Sequence, residues 1–494
     1  MTAERTQSTV LWALAGLTAL GLAIRFASLG VQSYHHDEVI TAMRVIPGSF
    51  TEMLGEVKGS ESNPPLYYVL AWGWAKAFGT GEVGLRSLTA LFGAATVPVA
   101  FLIGRELASN RAGLIASALV AVSPMLIWYS QEARSYALLV FFGALALLFF
   151  ARALRTRQGR DLGLWALASA LALCSHYFAV FAVAIEAVWL LVALRTRWRL
   201  VLFAVGGVVA VGLALLPLIS AQINPTHIGW IDHSPLSTRL FETGGSFLMG
   251  ETGHVIAQPP RERYALIPAL LIGAALLLTA LRGSSREKRT AALGLTIGIG
   301  VVLLAAGIAL AGKDYIVERN LLPALVPLVL AAAVGFAASG ARRVGLALAT
   351  MLCVYWLAFD VHVARTLNLQ RPDFRDVVEQ LGSPTRPRAI VTWTLAADGV
   401  QFYLDHASRR KYRGKVPIRE VDVISKAVVV GRPPNLPPAF RPVERVRLDR
   451  LTLTRYTATG IHRVPVLALR DARTGFGRNA VITDGMPPQA EASQ

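Results

Sequence analysis

The sequence has little charge, little cysteine and few acidic residues. Charged residues occupy 16% of the 494 positions, whereas soluble domains usually carry about a quarter. Hydrophobic residues make up 54%, and the mean hydropathy is +0.49. This composition excludes an ordinary soluble protein. The two cysteines, Cys174 and Cys353, both lie in apolar runs, which argues against a disulfide framework and against a thiolate metal site.

Acidic residues are also scarce relative to basic ones. The chain has 31 Asp and Glu against 49 Lys and Arg, and its formal net charge is +18. In a soluble protein such a charge would suggest nucleic acid as a partner. Here most arginines of the apolar region occur in short loops between apolar runs, which is typical of the positive-inside topology signal. We therefore expect a lipid bilayer around the chain and no nucleic-acid partner.

Apolar runs of membrane-spanning length recur through the first three-quarters of the chain. They lack the apolar–polar alternation of barrel strands, so we predict an all-α polytopic membrane bundle of about eleven transmembrane helices. The first run has no convincing cleavage site and is interpreted as a retained helix. The predicted spans are Val10–Leu29, Leu85–Gly104, Ala112–Trp128, Tyr136–Ala151, Leu162–Cys174, Tyr177–Leu194, Leu200–Ser220, Ala265–Leu281, Ala291–Gly312, Leu321–Gly340 and Val344–Phe359.

The run Asn63–Gly79 is apolar but short, and it begins near two prolines. If it crossed the membrane, every later arginine-rich loop would move to the outer side. We interpret it instead as a juxtamembrane helix at the outer interface, which its Tyr and Trp content suits. With this topology, the polar segments "HHDE", "YSQEARSY", "SHYF" and "KDYIVERN" all fall on the outer face.

After Phe359 the hydropathy falls, and residues 362–494 predict a small α/β extracytoplasmic domain behind a membrane module of residues 1–361. The runs "RAIVTWTL", "KAVVVGRPP" and "LTLTRYTA" are typical of strands, and "AADGVQFYLDH" is typical of a helix. From about Asp471 we expect a loose tail.

The polar segments of the outer face combine carboxylates with arginines. Carboxylates can take a proton from an attacking hydroxyl, and arginines hold phosphate through forked, charge-assisted hydrogen bonds. Each residue alone could be an interfacial or snorkelling side chain, but together they fit sugar transfer from a lipid-linked phosphate. The candidates by this argument are Arg25, Asp37, Glu38, Glu132, Arg134, His176, Glu318 and Arg319.

The order of the motifs resembles the GT-C superfamily of integral-membrane glycosyltransferases. The similar branch contains the dolichyl-phosphate-mannose–protein mannosyltransferases and the bacterial aminoarabinose transferase of lipid A. The resemblance rests on "HHDE", "NPPLYYVLAWGWAKAFG", "GLRSLTALFGAATVPVAFLIGREL", "SPMLIWYSQEARSYALL", "SHYF" and "RNLLPALVPLVL", and it covers roughly Val10 to Phe359.

The resemblance implies a catalytic role for the acid of the first outer loop, which Asp37 matches, with Glu38 beside it. Arg134 and Arg319 match positions that face the family's active-site cavity. It also implies a polyprenyl-phosphate sugar as donor and an acceptor on the outer face. The remaining candidates for substrate binding are Arg25, His36, Tyr67, Glu132 and His176.

We therefore expect a hexosyl- or pentosyltransferase in a bacterial cytoplasmic membrane, with its site and C-terminal domain outside. Asp37 would act as the base of an inverting transfer, with arginines on the donor phosphate. The acceptor stays open between a lipid, a glycan and a protein.

Two alternatives concern single residues. His35 and His36 could bind a divalent metal with Asp37, but adjacent residues seldom converge on one ion, so we expect no metal cofactor. Glu186 lies within an apolar run, and an acid there favours a second function, a lipid or lipid-linked sugar transporter or flippase. The absence of a clear two-half repeat in the sequence argues against that alternative.

Overall fold

The computed structural model of the chain describes residues 2–223, 234–251, 261–366, 369–404, 414–427, 433–448, 450–475 and 478–485. The α-helices are α1 (Thr2–Phe26), α2 (His36–Ile40), α3 (Phe50–Ser60), α4 (Leu66–Phe78), α5 (Glu82–Leu107), α6 (Asn110–Val122), α7 (Pro124–Ser130), α8 (Tyr136–Thr156), α9 (Gly159–Ser175), α10 (Ala179–Ala193), α11 (Trp198–Gln222), α12 (Leu236–Met249), α13 (Arg261–Arg282), α14 (Ser285–Leu310), α15 (Leu325–Phe336), α16 (Arg342–Arg365), α17 (Phe374–Leu381), α18 (Thr394–Tyr403) and α19 (Val466–Arg470). The strands are β1 (Arg388–Trp393), β2 (Lys415–Lys426), β3 (Arg441–Leu448), β4 (Leu451–Pro465) and β5 (Asn479–Asp484).

The predicted polytopic helical architecture is confirmed, with fewer clear spans than expected. Eight described helices are long and apolar enough to cross a membrane, or nine if one bent helix pair counts as a span. The predicted spans Leu162–Cys174 and Tyr177–Leu194 correspond to α9 and α10, which have 17 and 15 residues. At about 1.5 Å per residue they reach only about 25 and 22 Å, less than a hydrocarbon core of roughly 30 Å.

The bent helix pair consists of α6 and α7, and its axes differ by 57°. Pro124 occupies the first turn of α7, and Ser123 before it is extended, with φ −68° and ψ 119°. Proline lacks an N–H and biases the preceding residue away from helical backbone, so the helix breaks here. The break replaces the predicted continuous span Ala112–Trp128 and redirects the chain that leads into "SQEARSY".

The run Asn63–Gly79 forms the single helix α4, and α3 precedes it. Ser49 caps α3 in a capping box with Glu52, which fixes where that helix begins. The indole N–H of Trp72 donates to the carbonyl of Gly48 at 2.9 Å, which joins α4 to the loop before α3. At 13 residues, α4 is too short to count among the candidate spans.

The C-terminal part is a small α/β domain, as predicted. Its five strands are ordered β3-β4-β2-β1-β5; β1 and β2 are parallel, and the other neighbours are antiparallel. The predicted strands "RAIVTWTL" and "LTLTRYTA" correspond to β1 and β4. The predicted strand "KAVVVGRPP" lies mostly outside the described residues, and β2 ends where it begins.

The loose tail expected from about Asp471 contains a strand instead. Residues of β5 pair antiparallel with β1, from Arg388 opposite Asp484 to Trp393 opposite Asn479. The sequence of β5, "NAVITD", places β-branched side chains in a buried position on the sheet, which favours a strand over a disordered tail.

The contacts divide the chain into two compact units. The helical unit contains residues 1–29 and 44–363, and the C-terminal unit contains residues 30–43 and 364–494. The segment 30–43, which carries "HHDE", therefore belongs with the sheet domain. Within this unit, the amide of Tyr34 donates to the hydroxyl of Tyr403 at 2.8 Å, and the amide of Phe374 donates to Ser33 Oγ at 3.0 Å.

Candidate active site

The acidic pair of "HHDE" lies at the start of the short helix α2. The amide of His35 donates to Glu38 Oε2 at 2.9 Å, and Glu38 is fully buried. This hydrogen bond closes the first turn of α2, because the carboxylate satisfies a backbone donor that the helix itself leaves unpaired. Glu38 is thus bound to its own loop, while its neighbour Asp37 keeps about a fifth of its side chain exposed.

The two histidines lie against Asp37 and against each other. His36 Nε2 is 3.2 Å from Asp37 Oδ1, and the two imidazole rings are 3.9 Å apart. Burial is the largest influence on His35 and lowers its pKa well below the ordinary value, with the charge of His36 acting in the same direction. His35 is therefore neutral at pH 7.

A divalent ion is compatible with this cluster. The ligand atoms of His35, His36 and Asp37 all lie within 4.8 Å of one another, so adjacent residues do converge here. Two imidazoles and one carboxylate are ligands that zinc accepts. The expectation that the protein needs no metal stays a prediction.

A second set of candidate residues belongs to the helical unit and is built around Arg134. The turn after α7 places Arg134 next to Glu61, and Nη1 lies 2.9 Å from Oε1 and 2.8 Å from Oε2 of that carboxylate. Both side chains are buried, and the guanidinium lies 5.8 Å from the ring centre of Tyr68. Tyr67, the other tyrosine of "PPLYY", is fully buried with its ring 5.2 Å from that of Tyr68.

His176 lies near both predicted arginines. It lies at the tip of the α9–α10 hairpin, is almost fully buried, and accepts a hydrogen bond at Nδ1 from the amide of Phe178 at 3.3 Å. Burial, and then the charges of Arg134 and Arg319, lower the pKa of His176 to about 3. Arg134 and Arg319 therefore both lie near one neutral imidazole.

Further acidic and aromatic groups adjoin this cluster. The hydroxyl of Tyr129 donates to Glu251, and the charges of Glu132, Glu318 and Arg319 also act on that tyrosine. The side chains of Glu132, Glu251 and Glu318 are all buried. The ring of Tyr136 continues the cluster, because it lies 4.9 Å from the ring of Tyr129 and 5.6 Å from that of His176.

Arg25 has a different environment from the other predicted arginine sites. Its guanidinium is fully buried and donates to Ser130 Oγ and to the carbonyls of Gly21, Ala121 and Val120, at 2.9 to 3.1 Å. These bonds join α1 to α6 and α7 and favour a structural role. Substrate binding by Arg25 stays a prediction.

Glu186, the acid behind the transporter alternative, is also held inside the helical unit. The indole N–H of Trp165 donates to Glu186 Oε2 at 2.8 Å, and the carboxyl group is 2% exposed. This contact joins α9 to α10 and supplies a structural reason for the acid.

Sequence analysis missed four residues of the cluster: Glu61, Tyr129, Tyr136 and Glu251. Tyr129 and Tyr136 lie within the motif "YSQEARSY", and Glu61 lies two positions before "NPPLYY", so proximity to these motifs was the available signal. Glu251 had no such signal, because it lies in a long loop that is partly outside the described residues.

Comparison with known families gives a match over part of the chain. Residues 62–220 match the family model described as dolichyl-phosphate-mannose-protein mannosyltransferase. The match contains Tyr67, Glu132, Arg134 and His176, but it covers about a third of the chain and does not reach Asp37. A comparison with curated protein sequences found no significant match.

Solved structures that are weakly similar to this chain include the following three. ArnT from Cupriavidus metallidurans has a TM-score of 0.45 at 14% identity, covering 91% of this chain and 98% of its own. The Archaeoglobus fulgidus oligosaccharyltransferase has a TM-score of 0.45 at 13% identity, and the match covers 76% of this chain and 58% of the archaeal chain. The S. cerevisiae protein O-mannosyltransferase complex Pmt1-Pmt2 has a TM-score of 0.32 at 20% identity, and the match covers 43% of this chain and 32% of the yeast chain.

The chain thus spans less than two-thirds of the length of the archaeal and yeast proteins. At these TM-scores and identities, the similarities do not by themselves assign an activity. The resemblance shown is to the dolichyl-phosphate-mannose-protein mannosyltransferase family, over residues 62–220.

Proposed function

We propose that this protein is a membrane glycosyltransferase that moves a sugar from a polyprenyl-phosphate donor to an acceptor hydroxyl. The observation that carries the proposal is that Arg134 and Arg319 both lie near the buried imidazole of His176, because the 3-10 helix Glu318–Ala324, which carries Arg319, packs against α8 and α10. Arginine is suited to this task because its planar guanidinium binds phosphate through two parallel hydrogen bonds. The match of residues 62–220 to a mannosyltransferase family that is named for a lipid-phosphate donor supports the same reaction class.

The proposed reaction is a direct displacement at the anomeric carbon. The acceptor oxygen attacks this carbon, the bond from the carbon to the phosphate oxygen breaks, and the sugar inverts. The polyprenyl phosphate leaves as an anion and needs no proton. The acceptor hydroxyl, by contrast, must lose its proton to a base as the new bond forms.

Asp37 is the proposed base. Its carboxylate is partly exposed, and His36 Nε2 approaches it at 3.2 Å, so the imidazole can orient it. Glu38 is unsuited to the role because it is fully buried and accepts from the amide of His35. Glu38 would instead maintain the turn that presents Asp37.

The donor sugar and acceptor are assigned by class only. A structure of ArnT from C. metallidurans bound to undecaprenyl phosphate supports the choice of a polyprenyl phosphate carrier. We propose the outer face of a bacterial cytoplasmic membrane as the location of the reaction, because the arginine-rich loops favour a cytoplasmic position by the positive-inside rule. A hexose or pentose would be transferred to a lipid, a glycan or a protein.

The test is release of polyprenyl phosphate by purified protein in lipid nanodiscs, supplied with a panel of undecaprenyl-phosphate sugars. Asp37→Asn keeps the shape of the side chain and removes the base, so turnover should fall on the order of a hundredfold to ten-thousandfold. Glu38→Gln should retain more activity than Asp37→Asn, and Asp471→Asn, at an exposed position of the same unit, should match wild type. Near-normal turnover by Asp37→Asn would refute the assignment of Asp37 as the base. If Glu38→Gln were inactive in the same assay, Glu38 would be assigned as the base instead.

A further inference from the structure

We propose that Glu61 is a positioning residue, which orients the Arg134 guanidinium toward the phosphate of the lipid-linked donor. The inference rests on the proposed function and adds to it an acid that lies just before the residues matched by the family model. It depends on three observations within the helical unit: the contact between the two charges, the way the Glu61 turn is held, and the aromatic ring beside the pair.

The Glu61–Arg134 contact is short and buried. Arg134 Nη1 reaches both carboxylate oxygens, at 2.9 and 2.8 Å, and the two side chains are only 3% and 7% exposed. Both contacts use the same guanidinium nitrogen. Contacts at Nη1 limit how far the guanidinium can turn, and its orientation determines the direction in which a forked hydrogen bond to phosphate can form.

Gln222, at the end of α11, holds the turn that carries Glu61. Its side-chain amide donates to the carbonyl of Val57 at 2.8 Å and to the carbonyl of Asn63 at 3.0 Å. These carbonyls lie on either side of Glu61 in the chain. The hydroxyl of Tyr177 donates to Gln222 Oε1 at 2.7 Å, so the amide itself is fixed.

The same hairpin tip carries Tyr177 and His176, and His176 is the imidazole on which Arg134 and Arg319 act. The support of Glu61 and the arginine cluster are therefore connected through one short loop. A supported acid–arginine pair suits a phosphate site, because a group held in place beforehand loses less freedom when the ligand binds.

Tyr68 borders the pair on the side of α4. The Arg134 guanidinium lies 5.8 Å from its ring centre, and the buried hydroxyl lies near Glu61 and Asn63 without a hydrogen bond to either. Burial raises the pKa of Tyr68 well above its ordinary value, so the hydroxyl keeps its proton beside the carboxylate. The ring restricts the guanidinium from a second direction.

The experiment measures binding of undecaprenyl phosphate to protein in nanodiscs, with undecaprenol as the ligand that lacks phosphate. The variants are Glu61→Gln, Arg134→Gln and the double variant, since amides preserve shape and the double variant leaves no lone buried charge. Glu56→Gln, an exposed acid on α3, is the matched control. We expect the Kd for undecaprenyl phosphate to rise at least tenfold in Arg134→Gln and at least fivefold in Glu61→Gln, with undecaprenol binding and Glu56→Gln unchanged.

The double variant distinguishes positioning from general structural support. If Glu61 acts through Arg134, adding Glu61→Gln to Arg134→Gln should change the Kd by less than twofold. The inference would be overturned if the rise in Kd in the double variant equalled the product of the rises in the two single variants. An unchanged Kd in Glu61→Gln would also overturn it. If Glu61→Gln does not fold, Glu61→Asp keeps the charge with a shorter reach, and its Kd for undecaprenyl phosphate should rise at least threefold; an unchanged Kd would again refute the role.

The wild-type protein separates this inference from the proposed function. Phosphate-selective binding without turnover of any sugar donor would count against the glycosyltransferase proposal and leave the role of Glu61 in phosphate binding intact. Turnover and selective binding by wild type, both unaffected in Glu61→Gln, would refute the positioning role alone. Equal binding of undecaprenyl phosphate and undecaprenol by wild type would refute both.

Discussion

At the scale of the residue, His176 is held neutral by its surroundings. Its ring is 3% exposed, its Nδ1 accepts a hydrogen bond from Phe178, and two arginines act on it. A second proton would add a buried positive charge close to Arg134 and Arg319, which the structure disfavours. The imidazole therefore acts as a neutral, oriented group near pH 7, and it leaves the positive charge of the site to the arginines.

This environment makes His176 a source of acid sensitivity. Its pKa is about 3 in the folded chain, below the ordinary value of 6.5, so between these values the unfolded chain binds the proton and the folded chain does not. This residue therefore leaves the free energy of unfolding unchanged above about pH 6.5 and lowers it as pH falls, by about 2 kcal/mol at pH 5.

His176→Gln should lose less stability between pH 7.5 and pH 5 than wild type, measured as the shift in thermal unfolding midpoint. His362→Gln, at an exposed histidine, is the control and should behave like wild type. Equal acid sensitivity of His176→Gln and wild type would refute this assignment.

The residue scale also shows where sequence reasoning about the site stops. Arg134 was predicted from its motif, but its partner Glu61 is 73 positions earlier in the chain. Single acids in polar loops are common, and spacing along the chain does not report contacts that folding creates. For Arg25, a motif-based candidate, the structure shows four hydrogen bonds to the protein itself.

At the scale of the element, two breaks in helical structure shape the cluster. Pro124 bends the α6–α7 pair by 57°, and Gly250 ends α12 with φ +72°. A Cβ atom on Gly250 would lie 3.0 Å from both the carbonyl carbon and the Cβ of Pro124. Glycine is therefore required twice here, for its left-handed backbone and for its close approach to α7. Glu251, the partner of Tyr129, follows immediately.

Gly250→Ala should destabilise the helical unit. The combination of positive φ and extended ψ, 72° and 173°, costs an L-residue about 1–3 kcal/mol, and the contact with Pro124 adds to this. The thermal unfolding midpoint should fall, and turnover should fall with it because Glu251 is displaced. Gly245→Ala, in the interior of the same helix with open space around its Cβ position, should be neutral or slightly stabilising. If Gly250→Ala were as stable as Gly245→Ala, the close approach of α12 to α7 would be disproved.

At the scale of the whole molecule, the chain forms two units that are not continuous in sequence. Residues 30–43 leave the helical unit after α1 and join the sheet domain, and the chain then returns to the helices. Tyr34 is fully buried there, with its ring 5.4 Å from that of Phe402. The proposed base, Asp37, is consequently supported by a domain that begins more than 300 residues later.

This arrangement predicts that the sheet domain affects catalysis through the "HHDE" segment. Tyr403→Phe removes the hydroxyl that accepts from the amide of Tyr34 at 2.8 Å and should loosen the segment, so turnover should fall severalfold with donor binding unchanged. Tyr456→Phe, on strand β4, is the control and should match wild type. The measurement is kcat for release of polyprenyl phosphate beside the Kd for undecaprenyl phosphate. An unchanged kcat in Tyr403→Phe would show that the hydrogen bond between Tyr34 and Tyr403 does not contribute to catalysis.

The polytopic membrane class, the apolar helices, the polar motifs and the small α/β domain could all be predicted from the amino-acid sequence. These features depend on local composition and periodicity, which hydropathy and residue spacing report directly. Four features became known only from the tertiary structure. They are the break at Pro124, the two short helices of the α9–α10 hairpin, the strand within the expected tail, and the placement of "HHDE" with the C-terminal unit. The tertiary structure also decided that Glu61 meets Arg134 and that one imidazole adjoins two arginines. Such contacts join distant parts of the chain, and they are selected by the packing and charge compensation of the folded state, which no local pattern encodes.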